Sequence, residues 1–130
     1  RVGLALASAA ALASLEVFEE ERTLERLAPR LEQLETWLNR LSAHPHVGSI
    51  RRLGVMVGIE LVADKDKGTP FDAGLRVGNR VIEAALEHGL LIRPLGDVVV
   101  LMPTLAITEE ELTFLCATVE RSINEALPER

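Results

Sequence analysis

The residues best suited to chemistry lie in one run, Gly89-Leu90-Leu91-Ile92-Arg93-Pro94-Leu95-Gly96-Asp97. Apolar residues lead into a single arginine, which Pro94 and Gly96 hold at a turn. A second apolar run, residues 98–102, follows and ends at Pro103. The pattern predicts two short strands joined by a tight connection, with a fixed cation at the end of the first. A guanidinium so placed can grip a carboxylate through two parallel hydrogen bonds, which a lysine ammonium on its flexible stem does less well. A solvated arginine at a strand end has the same spacing, so spacing alone leaves both readings open.

The remaining reactive side chains point elsewhere. Lys65 and Lys67 are the only lysines, and both fall in a polar connection where solvation accounts for them. Glu60 is the one acid inside an apolar strand, and it is expected to face solvent or to pair with Arg51 or Arg52. Cys116 stands alone, which excludes an internal disulfide and suits a reducing, cytoplasmic compartment. On the apolar stripe of a predicted helix it reads as a buried structural thiol, not a nucleophile. His44, His46 and His88 sit near predicted turns without a cysteine or carboxylate set around them, so no metal site is expected. No Ser/His/Asp or Cys/His arrangement is visible, and no Gly-rich phosphate loop of useful specificity. No catalytic residue is assigned.

The elements that position Arg93 follow from periodicity. Residues 4–21 predict a first helix, apolar nearly all round at its start and rich in small residues, which reads as a buried helix. Residues 23–41 predict a second, whose Leu24, Leu27, Leu31, Leu34, Leu38 and Leu41 form a continuous seam. So few heptads, with Pro29 inside them, favour core packing against a sheet over a coiled coil. Residues 47–52 and 55–63 predict two strands around Gly54, with Met56, Gly58, Glu60 and Val62 on one face of the second. Residues 64–72 make a polar connection expected to be mobile. A third helix covers residues 73–87, with Val77, Val81, Ala84, Ala85 and Leu86 toward the core and Gly89 as its stop. After the strands around Arg93, Thr108 and Glu111 form a capping box. A fourth helix then carries Leu112, Leu115, Cys116, Val119 and Ile123 on one face and ends near Pro128. This order predicts a two-layer α/β sandwich, with one small, mostly antiparallel sheet covered on one face by helices.

Length and composition set the outer bounds. The 130 residues are enough for one domain with a real core, and few for a complete metabolic enzyme. The chain begins with Arg, not Met, and is expected to be a fragment or a processed product. A net charge of −6 offers no basic footprint for nucleic acid. Residues 1–15 have the outline of a signal peptide, yet helical character continues without a break into Glu16-Val17-Phe18-Glu19-Glu20. The stretch is also too short and alanine-rich to span a membrane.

Four segments together carry a resemblance: Pro45-His46-Val47-Gly48, Leu53-Gly54-Val55-Met56-Val57-Gly58-Ile59-Glu60-Leu61, the run from Gly89 to Asp97, and Leu101-Met102-Pro103. In order and spacing they resemble the C-terminal small domain of class III, pyridoxal-phosphate-dependent aminotransferases, and most of all the branch that serves biotin synthesis. The resemblance implies a homodimeric enzyme that transfers an amino group from S-adenosylmethionine to 8-amino-7-oxononanoate. A lysine of a larger, preceding domain would hold pyridoxal 5'-phosphate, outside this chain. Arg93 would bind the carboxylate of the amino acceptor. Alone, residues 1–130 would be inactive and carry no cofactor. They would also be prone to self-association through surfaces that the rest of the enzyme covers.

Departures from the family pattern bear on these expectations. Leu4 stands where the family has Asn. Val2 stands where it has a Thr whose hydroxyl contacts the cofactor phosphate, so no cofactor role is carried onto Val2. Val100 replaces the Tyr usual in the biotin branch and the Arg of ornithine-type relatives, and Thr104 replaces the second Pro of a Pro-Pro pair. Two alternatives stand beside the biotin reading. One is the small domain of an ω-amino-acid:pyruvate aminotransferase, and the other is a non-catalytic dimerisation or binding module.

Overall fold

A computed structural model of the chain describes residues 2–127, with Val2 described by its backbone alone. Helix α1 spans Val2–Glu20 and α2 Thr23–Leu41. Strands β1 (Val47–Leu53) and β2 (Met56–Leu61) follow, then a single 3-10 turn at Ala73–Leu75 and α3 (Val77–Glu87). Strands β3 (Arg93–Leu95) and β4 (Val98–Leu101) precede the last helix, α4 (Glu109–Ala126). The four strands form one wholly antiparallel sheet in the order β1-β2-β4-β3. The predicted two-layer sandwich is what the chain adopts.

Alternation along the central strands decides which face the helices cover. Val57, Ile59 and Leu61 of β2 and Val99 and Leu101 of β4 are buried, and they join Leu34, Leu38, Val81, Val119 and Ile123 in one core. Side chains of opposite parity, Met56, Gly58, Glu60, Val98 and Val100, stand on the open face. The predicted seam of α2 is buried at Leu27, Leu34, Leu38 and Leu41, whereas Leu24 at its start is exposed. On α4 the stripe holds throughout, and Thr108 and Glu111 exchange both bonds of the capping box. That helix stops at Ala126, and Pro128 lies outside the described residues.

Five expectations are corrected. Helix α1 is exposed along its length, with Leu4 at 71% and Leu6 at 75%, because α2, α3 and α4 already fill the covered face of the sheet. The third helix is broken at Arg76, whose φ of 46° is left-handed, so only residues from Val77 onward are α-helical. On that helix Leu86 is exposed and Gly78 is buried in its stead. Val62 is buried and lies past the end of β2, off the face assigned to it. Finally, Arg93 opens β3 and does not end a strand. Its pairing with β4 begins at Val100, although β4 itself runs on to Leu101.

Candidate functional site

Arg93 begins an edge strand, and its Cα partner across β3 and β4 is Val100. Val100 in turn pairs with Gly58, and Gly58 with Arg51. One cross-strand row thus holds Arg51, Gly58, Val100 and Arg93 on the open face, with an exposed arginine on each edge strand. Pro94, between Arg93 and Leu95, turns toward the core side opposite Val99.

Arg93 lines an open groove of about 540 Å³. Leu91, Val100, Met102, Phe114 and Leu115 supply much of its wall. Leu91, Met102 and Phe114 are exposed, so the groove that Arg93 lines presents apolar surface to solvent. The only acid on the lining is Glu111, and its carboxylate is already committed to the capping box. Among the described residues no carboxylate pairs with Arg93. Arg30, Arg40 and Arg52, on the helix side, pair with Glu109, Glu120 and Glu35, while Arg93 has no ion pair among the described residues. A guanidinium without an acid partner on the lining of an apolar groove can hold a carboxylate whose aliphatic chain lies along the wall.

The other candidate groups are occupied. Lys65 donates to the carbonyl oxygens of Ser42 and, at 3.4 Å, of His44. Lys67 pairs with Asp64 at 3.1 Å, and that contact holds the Asp64 carboxyl below its usual range. Both lysines of the polar connection thus have partners, away from Arg93. Glu60 faces solvent and accepts a 2.6 Å bond from the Ser49 hydroxyl; Arg52 bonds to Glu35 instead. Cys116 is buried as expected, and burial pushes its thiol up to about 12. His46 Nδ1 lies 3.0 Å from the Val62 carbonyl, His44 Nε2 3.1 Å from Asn124 Oδ1, and His88 Nε2 2.8 Å from Glu125. Among the described residues no group of three or more His, Cys, Asp or Glu could hold a metal, and no helix is long and apolar enough to cross a membrane.

Two parts of the site escape the sequence pattern. Phe114 lies off the buried stripe of α4, and its one signal is that an aromatic stands exposed in a chain with three Phe and one Trp. The bond from the Gly78 N–H to Asp97 Oδ1 spans nineteen positions, and nothing local announces it.

Residues 2–123 match the family described as Aminotransferase class-III. A protein of Nitratidesulfovibrio vulgaris named adenosylmethionine-8-amino-7-oxononanoate aminotransferase is 60% identical over 121 residues, covering 93% of this chain and 22% of that relative. The crystal structure of the Methanocaldococcus jannaschii enzyme of the same name superposes with a TM-score of 0.86 at 44% identity, covering 91% of this chain and 27% of its own. The PMP-bound form of an aminotransferase from Vibrio fluvialis gives a TM-score of 0.87 at 31% identity, covering 92% and 26%. The chain therefore spans about a quarter of the length of these relatives.

Proposed function

Because the chain belongs to the class III aminotransferase family, we propose that residues 1–130 are the C-terminal small domain of a longer, pyridoxal-phosphate-dependent transaminase. In this reading the enzyme is a cytoplasmic homodimer that moves an amino group from S-adenosylmethionine to 8-amino-7-oxononanoate in biotin synthesis. The relatives named for that reaction, at 60% and 50% identity, support the substrate pair. The lone thiol supports the compartment, and the exposed apolar side chains of α1 support a covering neighbour.

The observation that carries the substrate reading is Arg93, without an ion pair among the described residues, on the lining of a largely apolar groove. Its guanidinium holds the acceptor carboxylate, and Val100, Met102 and Phe114 flank the alkyl chain. Arg93 thus fixes the position of the acceptor and takes no part in proton transfer. In this reading the cofactor and the lysine that carries it belong to the larger part of the enzyme. The 130-residue chain alone is expected to show no transamination above a blank of free cofactor.

Arg93→Ala in the full-length enzyme tests the reading. It is expected to raise the KM for 8-amino-7-oxononanoate by at least about tenfold, the scale of a lost charged hydrogen-bond pair. An unchanged KM would remove Arg93 from the site. A wild-type enzyme that prefers pyruvate as acceptor would instead favour the ω-amino-acid:pyruvate type, which shares the fold of the Vibrio fluvialis structure.

A further inference from the structure

Helix α3 begins without a cap of its own. Arg76 precedes it in a left-handed conformation, and no side chain from the helix's own entry segment bonds to its first turn. The missing acceptor comes from the turn between β3 and β4, where Asp97 Oδ1 takes the Gly78 N–H at 3.2 Å. A carboxylate there satisfies an orphan amide and sits at the positive end of the helix dipole. The contact is also close in the van der Waals sense. A Cβ at Gly78 would stand 2.1 Å from the Gly96 carbonyl oxygen and 3.3 Å from the Asp97 Cα, so only glycine lets the helix approach. On its other side the turn is tied to the sheet, because the Asp97 carbonyl accepts the Leu61 N–H at 2.8 Å.

The turn itself has little slack. Gly96, at φ 59°, takes the first position of a two-residue hairpin whose flanking pair is Leu95 and Val98. Strand β3 is three residues long and pairs with β4 alone, so the ladder offers Arg93 few anchors. Fixing the far end of so short a strand fixes its near end, where Arg93 stands.

From this geometry we propose that Asp97 and Gly78 are positioning residues for Arg93, clamping the β3–β4 turn to the N-terminus of α3 so that the guanidinium meets the acceptor carboxylate at a set place. The proposal rests on the carboxylate reading of Arg93. Asp97 touches no substrate and acts through the strand. Its carboxylate oxygen is the working atom, so Asn, which keeps an acceptor there, substitutes for it where Ala does not.

The test is a double-mutant cycle in the full-length enzyme, with acceptor and donor half-reactions measured separately. Asp97→Ala is expected to raise the acceptor KM about three- to tenfold, on the scale of a lost helix cap, with kcat and the donor step within about twofold. Asp97→Asn is expected to restore most of the loss. On an Arg93→Ala background, Asp97→Ala is expected to add less than about twofold, because the residue it positions is gone. Asp97→Ser, which shortens the side chain without adding bulk at the close contact, asks the same question where Asp97→Ala does not fold. Equal damage to donor and acceptor steps, or a full additional effect on the Arg93→Ala background, would overturn the clamp. An Arg93→Ala enzyme with an unchanged acceptor KM sinks the carboxylate reading itself, which is a separate result.

Discussion

Arg93 and Val100 stand directly opposite each other across β3 and β4, so both side chains leave the sheet on the face turned from the helices. Directly opposed residues of an antiparallel pair have Cβ atoms within about 5.5 Å, close enough for an acid at position 100 to reach the guanidinium. The open state of Arg93 is therefore a consequence of the apolar residue facing it. Val100→Glu in the full-length enzyme is expected to pair with Arg93 and raise the acceptor KM about two- to fivefold, the range of a cross-strand ion pair. High salt should relieve much of the effect, since the pair is exposed. Val100→Gln has nearly the same shape without the charge. If Gln and Glu give equal KM values at low salt, no such pair forms.

The covered and open sides of the domain should respond very differently to truncation. Ile59 is wholly buried at the centre of the core, in contact range of both helices and strands. Ile59→Ala is expected to cost about 2–5 kcal/mol in the urea unfolding of the 130-residue chain, from lost transfer energy and the cavity left behind. Leu6 on α1 is 75% exposed, and Leu6→Ala in the same chain is expected to stay within about 0.5 kcal/mol. A large loss at Leu6 would mean that α1 packs in solution where the fold leaves it bare.

Legibility of the fold differed between its covered and open parts for a physical reason. Where one core decides a whole element, periodicity sufficed: the α4 stripe, its capping box and the lower seam of α2 lie as expected. Helix α1 was misread because an apolar composition says that a surface wants covering, not that this chain covers it. The break at Arg76 was hidden because a left-handed arginine has no compositional mark. Arg93 stood out through Pro94 and Gly96 beside it. The clamp that Asp97 and Gly78 form did not, because it depends on two segments meeting in space.

Cys116 offers a check on the helical layer that needs no enzyme assay. Its thiol is buried between α4 and the rest of the core, and loss of solvent raises it from an ordinary 9.0 to about 12. A thiol reagent is expected to react with the native chain far more slowly than with the urea-unfolded chain, since the thiolate is the nucleophile. The linkage has a definite sign. Above pH 9 the unfolded thiol ionises while the folded one stays protonated, so stability falls as pH rises through that range. Cys116→Ala should lack this alkaline slope. Rapid labelling of native protein at pH 8 would contradict the burial.

The contact between α3 and α4 is joined at its end by Glu125, which accepts from His88 at 2.8 Å and from Arg121 at 3.1 Å. The bond from His88, and after it that from Arg121, holds the Glu125 carboxyl below its ordinary 4.5. A carboxyl lowered by folding stabilises the native state above its unfolded value, and the gain is lost as pH falls through the folded one. Below both, the acid is protonated in either state and the contribution is gone. Glu125→Gln should therefore be less stable than the wild type at pH 7, with the gap narrowing as pH falls below 4.5. The pair is exposed, so the pH 7 gap is expected to be small and to shrink in salt. Urea midpoints of both proteins between pH 7 and the acid range decide the matter: a gap that does not narrow as pH falls below 4.5 would show that Glu125 contributes through packing and not through its charge.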